Sequence, residues 1–299
     1  MSILVLGTVA LDTVETPFGK RKRLLGGSAV HFSMSARLFT QVNLAAIVGN
    51  DFPPRHIRFL EDKGVILTSL IRSGGETFKW EGKYEGDLNT ALTLDTCLGV
   101  LTVFKPVISD RESRIKNIFL ANVDPDIQRS LLKRLRSPRL VGLDSMNYWI
   151  KNKRKELLRL LKEVNIYVAN DQEARSLSGE NNLIRAARYL KSLGPDMVLI
   201  KKGEHGVLFY SPKFIFALPA YPVDQVIDPT GAGDTFAGAF MGYLARRGKS
   251  NAADLKRAIA YGTVAASFNV EGFGLEKTSR MNKAELKGRL DKFKSCFIF

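Results

Sequence analysis

The sequence contains few of the features that mark membrane, secreted or metal-stabilised proteins. No stretch reaches the about 18 uncharged apolar residues of a membrane helix. The first residues, MSILVLGTVALD, lack the basic flank and cleavage site of a signal peptide. Two cysteines occur, Cys97 and Cys296, far apart and without the spacing of metal ligands. We therefore expect a soluble cytoplasmic protein with free thiols and neither a disulfide framework nor a zinc site.

Acidic residues are scarce relative to basic ones, since 45 Lys and Arg stand against 30 Asp and Glu, a formal net charge of +15. A positive field of this size attracts nucleic acids, nucleotides and acidic lipids. The basic runs are scattered over predicted helix faces, at 20–23, 133–139, 151–155, 246–249 and 283–294. This distribution favours small anionic ligands over nucleic acid, and we expect no membrane partner.

Short apolar runs alternate with longer amphipathic stretches, which is typical of parallel βαβ units. Predicted strands cover 3–6, 43–48, 117–121, 140–143, 166–169 and 197–200, and predicted helices cover 27–39, 54–63, 126–135, 153–161 and 183–193. A hairpin at 207–217 and three further helices follow. Because repeats, low-complexity segments and linkers are absent, we predict one layered α/β domain over residues 1–299.

Residues 68–105 depart from this rhythm, because they consist of extended pieces separated by glycine and polar turns. Phe78, Trp80 and Tyr84 alternate with charged residues, so one face of this strand is aromatic. The aromatic face either packs on the main body or belongs to a small lid sheet, formed with residues 13–25, that closes over a ligand. The pattern is compatible with both arrangements.

The segment DPTGAGDTFAGAF, residues 228–240, concentrates glycine at the start of an apolar helix predicted to begin at about Gly231. The unpaired N–H groups of a first helical turn bind anions, and Gly231 and Gly233 allow a phosphate to approach the backbone. Asp234 either caps this helix or takes the proton of a hydroxyl that attacks phosphorus. The helix end predicts that Asp234 is a weak base.

This segment closely resembles the C-terminal signature D-T-x-G-A-G-D-x-F of the ribokinase-like (PfkB) family of carbohydrate and nucleoside kinases. It is neither a Walker A loop nor part of a protein-kinase signature set. The resemblance implies a three-layer α/β/α fold, with a mostly parallel central sheet and a small β lid. It also implies ATP-dependent transfer of the γ-phosphate to a hydroxyl of a sugar, polyol or nucleoside. Asp234 would be the catalytic base, and Gly231, Ala232 and Gly233 would form an anion hole.

Two segments near the amino terminus resemble the acceptor site of this family. GGSAVHFSMSARLF begins with Gly26 and Gly27, a diglycine that lets the backbone approach the sugar. GTVALD ends at Asp12, where the family places an aspartate that binds substrate hydroxyls. His31 stands where ribokinase has a sugar-contacting asparagine, and Ser28 stands where it has a lysine. The resemblance therefore assigns these positions to the acceptor without implying ribose specificity.

Two further segments resemble the nucleotide site. NDQE, residues 170–173, matches an N-x-x-E element that organises magnesium, so Glu173 would hold Mg²⁺ through water with the help of Asn170. The same pair also has the pattern of a helix capping box. KKGEHG, residues 201–206, resembles the turn beside the nucleotide phosphates and assigns Lys201, Lys202, Gly203 and Gly206 to the nucleotide. The adenine site of the family lies near the last helices, here around residues 260–274.

The resemblance also bears on potassium, on assembly and on alternative functions. Some members bind potassium beside the anion hole, and Asp228 and Thr230 stand at matching positions of the cofactor site, although Pro229 replaces the usual threonine.

Lids of this family also serve as dimer surfaces, so a homodimer is expected. Two alternatives remain: a phosphosugar kinase, favoured by the positive charge, and an inactive basic nucleic-acid-binding or regulatory protein on the same fold.

Overall fold

A nine-stranded sheet forms the centre of this computed structural model, which describes residues 1–248 and 251–297. Its strands, in spatial order, are β13 (Ile215–Leu218), β12 (Val207–Tyr210), β11 (Met197–Lys201), β10 (Ile166–Asn170), β9 (Leu140–Asp144), β8 (Asn117–Leu120), β1 (Ser2–Leu6), β4 (Gln41–Val48) and β5 (Val65–Arg72). Neighbours pair in parallel except around β12, which is antiparallel to β11 and β13. The carboxyl ends of the parallel strands therefore meet at one edge.

Alternate residues of β1 enter two different hydrophobic clusters, which shows that both faces of the sheet are covered. Ile3 and Val5 pack in the cluster that contains Phe32, whereas Leu4 and Leu6 pack in the cluster that contains Leu157. The three-layer α/β/α arrangement with a mostly parallel sheet is thus confirmed. The six predicted strands and the hairpin are found within about two residues of their expected bounds.

Two groups of helices form the outer layers. The layer over Ile3 and Val5 contains α1 (Ser28–Ala36), α2 (Pro54–Asp62), α9 (Ala232–Arg247) and α10 (Ala252–Asn269), and α11 (Lys283–Ser295) packs on α10. The other layer contains α4 (Pro125–Leu132), α5 (Asn147–Asn152), α6 (Arg154–Leu161), α7 (Asp171–Ser178) and α8 (Leu183–Ser192), with the short α3 (Asp110–Ser113) nearby. Lys249, at the end of the basic run 246–249, lies outside the described residues. None of the helices in the described ranges is both long and apolar enough to cross a membrane.

A separate four-stranded sheet contains β3 (Gly19–Gly26), β2 (Ala10–Thr16), β6 (Lys79–Tyr84) and β7 (Ala91–Cys97), in that order. The expected small sheet is therefore present, but the segment 68–105 does not belong to it throughout. Ser69 to Arg72 pair with β4 at the edge of the large sheet, and Val100 and Leu101 lie in a 3-10 helix buried against the core. An edge strand is only half buried, so its sequence lacks the apolar run by which the inner strands were recognised.

Candidate active site

The antiparallel pairing of β2 with β3 in the small sheet brings Asp12 to the diglycine. The Gly27 N–H donates to Asp12 Oδ2 at 3.2 Å, and a Cβ atom on Gly26 would lie 2.0 Å from the same oxygen. Only glycine at position 26 therefore permits this close approach. Burial raises the pKa of Asp12 to about 7, and the carboxylates of Asp228 and Asp234 add to the rise against the hydrogen bond from Gly27. Asp12 is thus electrostatically connected to the GAGD segment.

The predicted helix entrance is confirmed at Gly231, which is the N-cap of α9 with a left-handed backbone, φ 76°. L side chains rarely adopt this conformation, so the turn favours glycine. The Ala232 N–H donates to Pro229 O at 3.1 Å, and Gly233 and Asp234 follow in the first turn, where helix N–H groups lack partners within the helix. The N-cap glycine provides no side-chain cap, and a hydrogen bond from the Asp234 backbone N–H lowers the pKa of the Asp234 carboxyl in the first turn, so both interpretations of Asp234 stay open.

Asp234 is a stronger base than the helix end predicts. Burial raises its pKa to about 7, the carboxylate of Asp144 contributes to the rise, and the ammonium of Lys201 opposes it. The expectation of a weak base was therefore wrong, because loss of hydration outweighs the partial positive charge of the helix terminus. A carboxylate with a pKa near neutrality is well suited to accept a proton.

Lys201 lies between Asp144 and the entrance of α9. Its Nζ is 2.8 Å from Asp144 Oδ2, and a Cβ atom on Gly233 would lie 2.8 Å from the same Nζ. Burial works against the charge of Lys201, but Asp144, Glu173 and Asp234 outweigh it and raise the pKa of this ammonium. Asp144 was not predicted from the sequence. Its signal is an acidic residue directly at the carboxyl end of a buried strand, where parallel sheets place their ligands.

Asn170 and Glu173 form the capping box that their spacing predicts. Asn170 Oδ1 accepts from the Glu173 N–H, and Glu173 Oε2 accepts from the Asn170 N–H, both at 2.7 Å. Burial raises the pKa of Glu173 to about 8, Asp144 adds to this, and Lys201 opposes it. The pair is therefore a structural cap that also faces the charged cleft.

A divalent cation fits this group of charges. Asp144, Glu173 and Asp234 outnumber the ammonium of Lys201, and the pKa values of Glu173 and Asp234 are raised first by burial and then by the carboxylate of Asp144. In the described part of the chain, no three acidic, His or Cys side chains converge closely enough to hold a metal by themselves. A Mg²⁺ ion here would need water and phosphate oxygens to complete its octahedral shell.

The remaining residues of KKGEHG form a tight turn between β11 and β12. The Lys202 N–H donates to Gly206 O at 2.7 Å, and Gly203–His205 form a single 3-10 turn. Asn89 Nδ2 of the small sheet's β6–β7 loop donates to Glu204 Oε1 at 3.0 Å. Unlike Lys201, whose ammonium is part of the cleft, Lys202 takes part in this turn through its backbone.

Asp228 is fully buried at the loop before α9. Its Oδ1 accepts from the Thr230 N–H at 2.8 Å, and its Oδ2 accepts from the Gly274 N–H at 2.9 Å. Within the described ranges, no Lys, Arg or His side chain forms an ion pair with this carboxylate. A buried carboxylate without a cationic side chain is compatible with a monovalent cation at this loop.

His31 lies behind the helix entrance. It is 2% exposed, its Nδ1 is 3.1 Å from Asn269 Oδ1, and a Cβ atom on Gly231 would lie 2.3 Å from its ring. Ser28, the other departure from the family pattern, is turned inward and bonds to Thr8. The structure shows contacts of His31 with Gly231 and Asn269, and the acceptor contact of His31 stays a prediction.

The inner face of the small sheet carries aromatic residues over the site. Tyr84 Oη lies 3.4 Å from Thr230 Oγ1, and burial raises the pKa of this phenol well above its usual value. Trp80 lies across Gly82, since a Cβ there would be 2.0 Å from the indole, and Trp80 Nε1 donates to Thr93 Oγ1 at 3.2 Å. The pairing of Val14 with Gly82 places Trp80 beside Asp12 on the neighbouring strand.

The predicted residues therefore fall into three adjoining groups. Asp12, Gly26 and Gly27, which the sequence predicts to bind the acceptor, form one group, and Gly231, Gly233 and Asp234 form the central group. The group that the sequence predicts to bind the nucleotide contains Asn170, Glu173 and Lys201, and the structure adds Asp144 to it. His31 stands apart from these groups, because it supports the centre from the protein interior.

Comparisons with known proteins agree with this geometry. Residues 14–280 match the profile of the pfkB family carbohydrate kinases. A cytidine kinase of Thermococcus kodakarensis is 30% identical over 252 residues, which cover 82% of this chain and 89% of that relative. A nucleoside kinase of Methanothermobacter thermautotrophicus is 25% identical over 290 residues, which cover 92% of this chain and 91% of the relative.

A solved structure extends the agreement to the fold. The nucleoside kinase of Methanocaldococcus jannaschii, an archaeal member of the ribokinase family, superimposes with a TM-score of 0.79 at 22% identity, over 97% of this chain and 98% of that one. At this identity the likeness concerns the fold alone. The profile match, the well-covered relative and the cleft together lead to one conclusion: this chain belongs to the pfkB family and is a kinase that acts on sugars or nucleosides.

Proposed function

We propose that this protein transfers the γ-phosphate of ATP to a primary hydroxyl of a nucleoside, in the cytoplasm. The observation that carries the acceptor class is the position of Trp80, which the register of β6 with β2 places next to Asp12 along the strands and whose indole lies over Gly82. Asp12 would bind ribose hydroxyls, and the indole would stack on the base. The similarity to archaeal cytidine and nucleoside kinases supports the same choice.

The chemistry follows from the centre of the cleft. The acceptor oxygen attacks the γ-phosphorus, the bond from that phosphorus to the β–γ bridging oxygen breaks, and ADP leaves. Asp234, with its pKa near 7, takes the proton of the attacking hydroxyl. The amides of Gly233 and Asp234 and the ammonium of Lys201 stabilise charge on the transferred group. Gly231 supplies the turn, and Ala232 supplies the first residue of the helix.

The remaining cleft residues would hold the nucleotide and its metal. We assign Mg²⁺, bound largely through water, to Glu173, Asn170 and Asp144, where it would neutralise phosphate charge. The turn of Lys202, Gly203 and Gly206 would run beside the phosphates. Asp228 and Thr230 would hold a potassium ion that orders the loop before the anion hole.

The small sheet would act as a lid and as a dimer surface. It reaches the helix entrance through Tyr84 and the nucleotide turn through Asn89, so it spans both substrates. Its edge strand β7 exposes Leu92 and Leu94, which are 59% and 48% accessible. Exposed apolar side chains on a strand whose outer edge is unpaired favour association with a second copy.

An acceptor panel tests the proposal. Purified protein with Mg·ATP is offered nucleosides, free ribose, other sugars, polyols and sugar phosphates, and ADP release is coupled to product identification. We expect a nucleoside 5′-phosphate as the product with the highest kcat/KM. Phosphorylation of a sugar phosphate alone would establish the phosphosugar alternative, and binding of DNA or RNA without any turnover would establish the non-catalytic one.

Two variants test the acceptor contact. Trp80→Ala should raise KM for the nucleoside by about tenfold or more, since base stacking on an aromatic residue contributes about 1–3 kcal/mol. The same change should leave KM for free ribose within about twofold, because ribose has no base to stack. Trp149→Ala is the matched control, since Trp149 donates to Asn122 Oδ1 at 2.9 Å and is not part of the lid. Equal effects of Trp80→Ala on both acceptors would contradict stacking.

A further inference from the structure

We propose that His31 and Asn269 act as a pair that positions the entrance of α9 for phosphoryl transfer, and that His31 does not contact the acceptor. This inference rests on the proposed kinase function, and it changes the role that the family resemblance implies for His31. Neither residue touches the reacting atoms in this arrangement. Both would act through Gly231 and the peptide that precedes it.

Asn269 connects three elements at the end of α10. It is 1% exposed, and its Nδ2 donates to Thr230 O at 2.7 Å. Its Oδ1 accepts from Thr235 Oγ1 at 2.9 Å and lies 3.1 Å from His31 Nδ1. The Asn269 side chain thus contacts the Thr230 carbonyl just before α9, the Thr235 hydroxyl in the first turn of α9 and the His31 imidazole on α1.

These contacts determine the tautomer of His31. The bond to the Thr230 carbonyl requires the NH₂ group of Asn269 on that side, so Oδ1 is the atom that faces His31. An amide oxygen only accepts, and therefore His31 Nδ1 carries the proton and Nε2 is an acceptor. Burial lowers the pKa of His31, although Asp228 and the bond to Asn269 oppose this. The ring is consequently neutral at physiological pH.

The ring of His31 forms the wall behind Gly231. A Cβ at this position would meet three ring atoms at 2.3 to 2.5 Å, and the backbone is left-handed. The turn is therefore confined by the ring on one side and by the Asn269 bond to Thr230 on the other. Because the amides of Gly233 and Asp234 follow directly, a shift of this turn would misdirect them. A misplacement of about 1 Å at a catalytic group can cost about 100-fold in rate.

The first experiment is a double-mutant cycle between His31 and Gly231. Gly231→Ala should lower kcat by roughly 100-fold, because the new methyl group meets the ring, and His31→Ala should lower it by roughly 10- to 100-fold. In the double variant the methyl group has space, so its kcat should equal or exceed that of Gly231→Ala. If the loss of kcat in the double variant equals the product of the two single losses, the residues act independently and the proposal is overturned.

A matched cycle controls for general damage to the helix interface. A Cβ on Gly262 of α10 would lie 2.9 Å from the ring of Phe236 on α9, and its three nearest atoms all belong to Phe236 and none to His31. The effects of Gly262→Ala and His31→Ala should therefore multiply. Melting temperatures and circular dichroism spectra of all variants establish that they are folded.

The division between kcat and KM separates positioning from acceptor contact. His31→Ala and Asn269→Ala should each lower kcat while KM for the acceptor changes by less than about threefold. The effect of the double variant should equal that of the larger single effect, since the residues act as one unit. A rise in KM with unchanged kcat in His31→Ala would show that His31 binds the acceptor and would overturn the proposal.

NMR of the His31 ring tests its tautomer and its bond to Asn269 without a measurement of kinase turnover. The chain contains 3 histidines, so ¹⁵N-histidine labelling gives a simple spectrum, and loss of signals in His31→Ala assigns the ring. We expect a protonated Nδ1 and an unprotonated Nε2 from pH 7 to 8, with a change in Asn269→Ala. An Nε2–H tautomer or a cationic ring at pH 7 would overturn the pair. If the acceptor panel shows no kinase activity while this tautomer is found, the proposed function fails and the structural pair stands.

Discussion

The ammonium of Lys201 lies 2.8 Å from Asp144 Oδ2 and rests against Gly233 at the entrance of α9. The two residues end β11 and β9, and β10 lies between them. Their ion pair therefore spans a neighbouring strand and delivers a positive charge to the place where first-turn amides are available. Charges of this kind, arranged before the substrate binds, stabilise a transferring phosphoryl group without reorganisation during the reaction.

Asp234→Asn should abolish most turnover while nucleotide binding persists. Loss of a general base lowers rates by about 100- to 10,000-fold, and asparagine preserves the size of the side chain without accepting the proton. Steady-state kinetics and calorimetric titration with a non-hydrolysable ATP analogue measure the two quantities. Asp291→Asn, an exposed change of the same type on α11, should leave both unchanged. Retention of near wild-type kcat by Asp234→Asn would show that another group receives the proton.

The value of kcat/KM should decrease on the acid side of its pH profile, with a midpoint near neutrality; this decrease is called the acid limb. Asp234 must be ionised to accept a proton, and its pKa is about 7, so the rate should fall as the pH decreases below this value. The ammonium of Lys201 lowers the pKa of Asp234, so Lys201→Met should move the limb to higher pH. Lys202→Met is the matched control and should leave the limb in place. A shift to lower pH in Lys201→Met would contradict this charge arrangement.

Potassium should activate the enzyme through the loop of Asp228. The buried carboxylate is held by the N–H groups of Thr230 and Gly274 and would gain a counter-ion from a monovalent cation. At constant ionic strength, replacing potassium by lithium should lower kcat/KM several fold. Asp228→Asn should remove this dependence, while Asp224→Asn serves as the control outside the buried loop. Equal rates in both salts would exclude a functional potassium site.

The lid sheet should mediate a dimer. Light scattering should give a mass of twice 33.3 kDa for the wild type. Leu92→Asp together with Leu94→Asp should give the monomer mass, because charged side chains on β7 oppose pairing of this edge with a second copy. A double change of two exposed residues elsewhere, Tyr189→Asp and Phe297→Asp, is the control. A monomeric wild type would exclude this assembly.

Much of the site could be predicted because its chemistry is local in the chain. The segment around Gly231 combines glycine, an apolar helical period and Asp234, and this combination determines a helix entrance wherever the rest of the chain lies. The spacing of Asn170 and Glu173 likewise determines a capping box. These features involve neighbours within about four residues, so the amino-acid sequence by itself was sufficient for the helix start, the cap and the family.

Tertiary structure decided the features that depend on distant partners. Asp144 meets Lys201 across 57 residues, and His31 meets Asn269 across 238, so no local pattern contains either pair. The helix terminus alone predicts a lowered pKa for Asp234, whereas the structure raises this pKa. The reason is burial beside the carboxylate of Asp144, which depends on the assembled sheet and has a larger effect than the helix terminus. Sequence determined which groups lie at the end of each strand and helix. The packing of those ends at one edge decided which groups face each other, and hence the charge and protonation of the site.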